Sequence, residues 1–496
     1  MPQRGTEDAL YNVVGYIKGK IKLKKLVTLV SLDIEGAFDS SWWPAIKIRL
    51  AEENCPVNIR RLIDSYLDCR KVRVRFAGEE STRNTTKGCV QGSISGPLLW
   101  NLLLDTLLRS LEERGEYCQA FADDIVLIFD GNMALEIQER ANAVLEFVQR
   151  WGVQNKLKFA PHKTNAMLLT NKLKYDTPLL SMVGVDIGMS KKIKILGLII
   201  DDHLTFNGHI AAQCRKAINI NKQLSRAASV SWGLNAEIIC TIYVAVIEPI
   251  ITYAASAWVH AVKKLGIQKQ LNMVQRGFAQ TLCKSYRTVS LHSAILLSGL
   301  LPLDLRVQEA AALYRVGRNL PLVELGDRVI DSAMKFIDSP HPATHMNLKF
   351  LCLTNQDLVD KFNVQSVYKT GDTAGIAKLF FPDAIRAYKS IRKIQRTGAL
   401  TQILTGHGGF SQYLNRFKCR ESPSCACDPE KYETVPHLLI ECPIHSQLRF
   451  EFEQSTGVNI EANTLHELIS SKNTAAKFIK FCIRICNAAN IRNKDI

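Results

Sequence analysis

Phe121-Ala122-Asp123-Asp124 sets two adjacent carboxylates between the apolar runs 117–122 and 125–129. The pattern reads as strand, tight turn, strand, with the acids at the tip. Apolar flanks fix the backbone and crowd two anions at one point. That is costly unless a cation sits between them, and a hard divalent ion is the usual solution. A plain Asp-Asp hairpin turn would give the same pattern. A third acid shifts the balance: the β-prone run 26–32 ends at Asp33 and is followed by Ile34-Glu35-Gly36-Ala37-Phe38-Asp39. Together Asp33, Asp123 and Asp124 could hold two Mg²⁺ ions roughly 3.5–4 Å apart, the arrangement for in-line displacement at phosphorus.

A second constellation lies near the C-terminus. Of 14 cysteines, Cys419, Cys425, Cys427 and Cys442 crowd into the 24 positions that end at Cys442. The other ten are scattered and read as reduced core thiols. Cys425-x-Cys427, nine residues, His437, four residues, Cys442 is the ligand set of a structural zinc knuckle. The surrounding stretch is short of large hydrophobes, so one Zn²⁺ would help a small unit fold. Cys419 is the spare thiol, and His407, in Gly406-His407-Gly408, is a further candidate ligand.

Elements around the acids can be read next. Gln91-Gly92 lies in a Gly- and Ser-rich turn where backbone can approach a ligand closely. Pro97 suits the first turn of a helix carrying the apolar run 98–111 and stopping at Gly115. Asp39 reads as the cap of a helix beginning near Trp42, and Glu35 as a solvated or supporting acid. Lys163 precedes the apolar stretch 166–169, and residues 193–200 read as a hairpin around Leu196-Gly197.

In this order the motifs resemble those of the reverse transcriptases of non-LTR (LINE-type) retrotransposons, most closely the ribosomal-DNA-inserting type-1 elements. The resemblance rests on Arg4-Gly5-Thr6-Glu7-Asp8-Ala9-Leu10, Asp33 to Asp39, Gly88 to Pro97, Phe121 to Asp124, Lys163-Thr164 and Leu196-Gly197. Each motif alone is weak, and their succession within about 200 residues is specific. It implies an α+β fold: a right-hand polymerase palm, an antiparallel sheet with helices, then an α-helical thumb and extension and a small zinc knuckle. The implied activity is RNA-directed DNA polymerisation, copying element RNA into DNA by two-metal-ion nucleotidyl transfer primed at the chromosomal target. Partners would be an RNA template, a DNA primer or target (ribosomal DNA by resemblance) and deoxynucleoside triphosphates.

The resemblance also implies roles. Asp33, Asp123 and Asp124 become the catalytic metal ligands. Phe38 packs beneath the sugar and excludes a 2′-hydroxyl, whereas a core Phe is the bland reading. Gln91 and Gly92 lie under template and incoming nucleotide, and Leu196-Gly197 holds the primer end. Lys163 can protonate the departing pyrophosphate, with His162 as its runner-up.

Net charge is +16, which favours a polyanionic partner. No acid occurs from 203 to 236, where Arg215, Lys222 and Arg226 share a helical face by spacing. None occurs from 262 to 288 either, where Lys263, Lys264, Lys269, Arg276, Lys284 and Arg287 lie. These stretches read as a thumb tracking a phosphate backbone. A third basic face is expected at Arg386, Lys389, Lys393 and Arg396.

The expected organisation is palm with partial fingers over 1–200, and thumb with helical extension over 201–337. A linker marked by Ser339-Pro340-His341-Pro342 and a helical region occupy 338–410, the CCHC knuckle 411–446, and an amphipathic tail 447–496. Residues 338–496 are expected to bind nucleic acid. The N-terminus is polar, without a signal peptide, and the most apolar stretch, 238–262, is interrupted by Glu248-Pro249. It reads as two buried helices of a soluble intracellular protein, with a nuclear location implied by the resemblance.

The chain opens at Met1, so fingers residues that clamp the triphosphate are expected upstream, as is the endonuclease of a longer polyprotein; within the chain Glu451, Glu453 and Glu461 could be proposed as nuclease acids. Two other classes compete. One is another palm polymerase, RNA-dependent or intron-encoded, which the knuckle argues against. The other is a non-catalytic nucleic-acid-binding relic, which the three intact acids argue against and missing fingers favour. Tyr286-Arg287-Thr288-Val289-Ser290 and Leu301-Pro302-Leu303-Asp304-Leu305 also resemble the ribosomal-DNA-targeting elements, without an evident chemical role.

Overall fold

A computed structural model describes residues 5–90, 92–227, 235–318, 320, 375–391 and 393–494. Gln91 and the linker at 339–342 lie outside them, as do the side chains of Arg386 and Lys389. The chain divides into two compact units, Met1–His209 and Ile210–Ile496.

The first unit runs α1 (Thr6–Lys22), β1 (Leu26–Leu32), α2 (Ala37–Ser40), α3 (Trp43–Glu52), α4 (Val57–Leu67), β2 (Lys71–Phe76), β3 (Glu79–Asn84), α5 (Ser95–Glu113), β4 (Tyr117–Phe121), β5 (Asp124–Gly131), α6 (Ala134–Gln154), β6 (Asn165–Leu169), β7 (Leu180–Met182), β8 (Val185–Ile187), β9 (Lys192–Ile195) and β10 (Leu198–Asp201). Its four-stranded sheet has the order β4-β5-β1-β6, antiparallel throughout. β1 is central and covered on both faces, which is why it reads as a largely apolar run broken only by Thr28 and Ser31. Leu26, Val30 and Leu32 join Ile125, Leu127 and Phe129 against α5 and α6.

α1 packs on β1 and β4. It is tied down by the buried Asp130 carboxylate, which takes Lys20 at 2.9 Å, Lys25 at 2.6 Å and the Tyr16 hydroxyl at 3.1 Å. Lys25 and Lys20 outweigh burial and hold the Asp130 carboxyl below its usual range.

The second unit is mainly helical: α7 (Asn207–Ala227, beginning in the first unit), α8 (Ala236–Ile242), a π-turn over Tyr243–Ile247, α9 (Glu248–Thr252), α10 (Ala255–Trp258), α11 (Leu265–Leu282), α12 (Leu291–Ser298), α13 (Leu303–Val316), α14 (Gly375–Phe380), α15 (Ala384–Ile391), α16 (Gly398–Thr405), α17 (Ser411–Arg416), β11 (Ser424–Cys425), β12 (Asp428–Tyr432), α18 (Ser446–Thr456), α19 (Leu465–Ser470) and α20 (Ala475–Arg492).

Several expectations are corrected. Asp39 does not cap α3; it lies inside the short helix α2, and the α3 cap position is Trp42. The apolar stretch does not break at Glu248-Pro249, which opens α9 directly after the π-turn. Pro is tolerated there because the first turn of a helix needs no amide donor. The chain turns at Tyr253-Ala254 instead, where Ala254 is left-handed. Among the described residues no single helix is long and apolar enough to cross a membrane; one bent pair, Ala236–Thr252 with Ala255–Lys263, would qualify only by length and composition.

The amphipathic C-terminal segment, over its described residues 447–494, lays its apolar face on the core. Phe452, Leu465, Leu468, Phe478, Phe481 and Ile485 belong to a large buried cluster. Glu451 pairs with Arg484 and Glu453 accepts the Ile460 amide, so both acids hold structure together. The 301–305 stretch has a packing role: the buried Gln275 amide donates to Leu301 O at 2.7 Å and accepts from Leu303 N at 2.9 Å.

Candidate active site and metal centre

Antiparallel pairing of β1 with β5 places Leu32 opposite Ile125, so Asp33 emerges beside Asp124. Asp123 occupies the β4–β5 turn, since Phe121 pairs with Asp124. Ala122 in that turn is left-handed at φ 56°, a conformation that costs a non-glycine residue about 1–2 kcal/mol. The buried Trp100 indole donates to Ala122 O at 2.7 Å and pins the turn from below. Sequence reasoning missed Trp100, whose only signal is a large aromatic one turn into α5.

Asp33 is fixed through its backbone: Ala160 N donates to Asp33 O at 2.9 Å, and Ile34 bridges Phe159. One side-chain oxygen of Asp33, Oδ2, is covered by neighbouring atoms yet has no hydrogen-bond partner. Lys163 Nζ stands 3.6 Å from it on a 60 % exposed side chain, beyond hydrogen-bond range. Partial burial, then the charges of Asp123 and Asp33, raise the Asp124 carboxyl above its usual range. Asp33, Asp123 and Asp124 therefore stand within electrostatic reach of one another at adjoining strand ends, and carboxylates are the hard oxygen donors a divalent cation takes; among the described residues the group already close enough to hold an ion is the set Cys425, Cys427, His437 and Cys442. Glu35 is drawn off by Lys158 at 3.0 Å, which lowers its pKa, and does not join the three acids.

A raised folded-state pKa lowers stability from the unfolded pKa upward, and the full cost is present at neutral pH. Asp124→Asn is therefore expected to raise the metal-free melting temperature at pH 7 by a few degrees, and to lose that advantage near pH 4. Calorimetry at the two pH values checks this; a lower melting temperature at pH 7 would contradict it.

The loop before α5 is clasped to the first motif. Gly88 N donates to Ser41 O at 2.8 Å and Cys89 N to Phe38 O at 2.7 Å. Gly88 has φ +101°, and a Cβ there would lie 3.1 Å from Asp39 O. At Gly96 a Cβ would meet Val90 O at 2.7 Å, so only glycine permits the turn. Gly92 has φ +82° with open space around it. Phe38 is half-buried, its ring 5.5 Å from that of Trp100. Leu196 and Gly197 form the left-handed two-residue turn of the β9–β10 hairpin.

In the second unit Arg215, Lys222, Arg226, Lys263 and Lys264 are all exposed. Arg276 and Arg396 are not comparable, for their guanidiniums hold the carbonyls of Arg287, Val289 and Ser298.

The cysteine cluster closes. Ligand atoms of Cys425, Cys427, His437 and Cys442 all lie within 4.8 Å of one another, and could hold a metal ion. Cys425 Sγ and Cys442 Sγ are 3.8 Å apart, and Cys427 Sγ is 3.2 Å from His437 Nε2. Sulfur ligands at about 2.3 Å on a tetrahedron stand roughly 3.7 Å apart, so the set fits a tetrahedral ion. His437 begins a π-turn to Glu441, whose carboxylate lies 3.4 Å from His437 Nδ1 and leaves Nε2 to face the thiols. Arg449 donates to Leu439 O and Cys442 O at 3.0 and 2.9 Å. Sequence reasoning missed Glu441 and Arg449; the i,i+4 spacing from His437 was the available signal for the first.

Two candidate ligands fall away. Cys419 is exposed and its Sγ approaches Phe417 O, and His407 bonds Thr288. Nor is the cluster a small unit short of hydrophobes, because Cys425, Val435, Leu438, Leu439 and Cys442 belong to the same core as α20.

Residues 1–200 match the family described as reverse transcriptase (RNA-dependent DNA polymerase), and they carry a reverse transcriptase domain. Over most of its length the chain is homologous to Pol proteins of type-1 R1 non-LTR retrotransposons. It is 29 % identical to the 115 kDa protein of the type-1 retrotransposable element R1DM of Drosophila melanogaster, over 90 % of this chain and 42 % of the relative. A retrovirus-related Pol polyprotein from element R1 of Bradysia coprophila is 27 % identical over 90 % of this chain and 43 % of its own length. A Pol polyprotein from element R1 2 of Nasonia vitripennis is 27 % identical over 82 % of this chain and 96 % of its own length. The chain thus spans less than half the length of the Drosophila and Bradysia relatives. Apo telomerase from Candida tropicalis has a TM-score of 0.32 at 11 % identity over 59 % of this chain and 53 % of that one, a likeness too slight to carry an argument.

Proposed function

We propose that the chain is the RNA-directed DNA polymerase portion of a non-LTR retrotransposon Pol protein, extending a DNA primer on an RNA template. The observation that carries this reading is the convergence of Asp33, Asp123 and Asp124 at the adjoining ends of β1 and β5, with one Asp33 oxygen covered and, among the described residues, without a hydrogen bond. Asp33, Asp123 and Asp124 would hold two Mg²⁺ ions. Bound there, the metal supplies Lewis acidity to the primer 3′-hydroxyl and the leaving pyrophosphate.

The chain's own side chains do the rest. Lys163, exposed and 3.6 Å from Asp33, would give a proton to the departing pyrophosphate. The loop through Gly92, held on the backbone of Phe38 and Ser41, positions the template base and incoming nucleotide. The tight Leu196-Gly197 turn supports the primer end. Arg215, Lys222, Arg226, Lys263 and Lys264 bind phosphates of the product duplex. Cys425, Cys427, His437 and Cys442 would hold one Zn²⁺, with a structural role because four protein ligands leave no open position for water.

The test is extension of a DNA primer on an RNA template with deoxynucleotides and Mg²⁺, by this chain or a longer Pol polyprotein carrying it. No extension by either would reject the reading. Within it, Phe38→Ala is expected to raise ribonucleotide over deoxynucleotide incorporation about tenfold to a hundredfold, because the half-buried ring is what would crowd a 2′-hydroxyl. An unchanged ratio in single-nucleotide competition would make Phe38 a packing residue and favour the RNA-polymerase alternative.

A further inference from the structure

Two stretches without a role in the proposed polymerase converge in the second unit. Thr288 Oγ1 lies 2.9 Å from His407 Nδ1 and 2.6 Å from the Tyr413 hydroxyl, joining positions more than a hundred residues apart in sequence. Val289 is buried and Ser290 caps α12, so packing accounts for that half of the 286–290 stretch. It does not account for Tyr286, Arg287 and Thr288, which remain exposed.

Around this junction lie two cavities of about 440 Å³ each, which share Ile376, Thr405, His407 and Arg416 as walls. Each is of the size that takes a drug-sized or nucleotide-sized ligand. Aromatic rings gather there. Tyr413 is 4.9 Å from the His407 ring, 4.9 Å from Phe417 and 6.1 Å from Tyr286, centroid to centroid. Phe417 lines one cavity at 44 % exposure and Tyr432 the other at 57 %. Rings gathered on one surface offer a partner apolar area and π-faces that a single exposed side chain would not.

The local charge is positive. Arg416 is exposed and borders both cavities, with Lys418 two residues on. Glu433 is the acid in the two walls, and it is fully buried and spent on Arg492 at 2.6 Å, Asn493 and the Ser411 amide. Burial and then Arg416 lower the His407 pKa, and its ring is held between the Thr288 hydroxyl and Tyr413. Exposed rings beside a guanidinium that makes no ion pair among the described residues are what single-stranded nucleic acid needs: π-faces for splayed bases and a cation for the phosphate. A duplex offers the phosphates without the open base faces.

We propose that the paired cavities around Thr288, His407, Tyr413 and Arg416 bind unpaired bases of a single-stranded nucleic acid, stacked on Phe417 and Tyr432, with Arg416 on the adjoining phosphate. This site rests on the reading of the chain as a nucleic-acid polymerase and adds to it a strand-recognition surface in the second unit.

The experiment measures fluorescence anisotropy of the full chain with labelled single-stranded RNA, single-stranded DNA and the matching duplex, each about 20 nucleotides, longer than one site. Phe417→Ala and Tyr432→Ala are each expected to weaken single-strand binding about tenfold and leave duplex binding unchanged. Both side chains are exposed, so these variants fold. Phe417→Trp should retain the affinity, as a stacking role demands. Arg416→Gln should reduce the slope of log affinity against log salt by about 0.7, the value for one single-strand phosphate. A loss confined to RNA assigns the cavities to the template, and a loss confined to DNA assigns them to the primer or target strand.

Alanine variants that bind single strands at wild-type strength overturn the site, as does equal weakening toward duplex. If they do so while primer extension is present, the pocket fails and the polymerase reading stands. If the wild-type chain binds no nucleic acid at low salt, both fail.

Discussion

Asp123→Asn is expected to lower primer extension on an RNA template by at least about a thousandfold, with little change in affinity for the primer–template duplex. Asp123 sits in a two-residue turn whose strained Ala122 is pinned by Trp100, so its carboxylate is presented by rigid backbone. Asparagine keeps the shape and removes the charge. A neutral amide is a poor ligand for a hard divalent ion, and several kcal/mol of transition-state stabilisation would be lost. The fold should gain slightly, because one of three crowded charges disappears. The combination is diagnostic: activity collapses while the melting temperature holds or rises. Asp33→Asn should cost activity likewise, with the stability gain offset by loss of the 3.6 Å ion pair to Lys163. Single-turnover extension retained by Asp123→Asn would remove that residue from the catalytic set.

The second large effect is expected from the cysteine cluster. The chain should carry one zinc per molecule, and Cys427→Ser should lose it. Cys425 and Cys442 are buried in the core shared with Leu438, Leu439 and α20, so their geometry is partly preformed. Zinc should then contribute several kcal/mol, less than the roughly 10–16 kcal/mol found when a whole finger folds around its ion. Burial raises the Cys425 and Cys442 thiols, so the metal-free site stays protonated and binding releases protons. Chelation or Cys427→Ser should lower the melting of the second unit and weaken nucleic-acid binding, while the first unit unfolds at its usual temperature. Metal analysis finding no stoichiometric zinc in the wild-type chain would overturn the site. Zinc that can be removed without loss of binding would make the cluster a staple, leaving affinity to the exposed cations of α7 and around Lys263.

What the sequence by itself determined was local and patterned. Leu26–Leu32, apart from Thr28 and Ser31, and the run after Asp124 are apolar because a sheet covered on both faces needs no polar side, and such runs are readable without coordinates. Adjacent acids at strand ends and the Cys-x-Cys, His, Cys spacing were legible because they depend on residue type and short separation. The Asp39 cap and the break at Glu248-Pro249 were misread because propensity is a weak prior where tertiary packing decides.

Only the tertiary structure decided which distant residues meet. That the β1 end lies beside the β5 start follows from strand register, which many partners could have satisfied. Trp100 beneath Ala122 and Arg449 over Cys442 leave no periodic trace. The same holds for His407, which sequence placed near the metal ligands and the fold delivers to Thr288. The cysteine module read as a separate knuckle because its own residues are short of large hydrophobes. Its core is supplied from α20, more than thirty residues farther along the chain. Burial is a property of the assembled chain, so a segment's own composition cannot reveal the apolar surface that another segment brings to it.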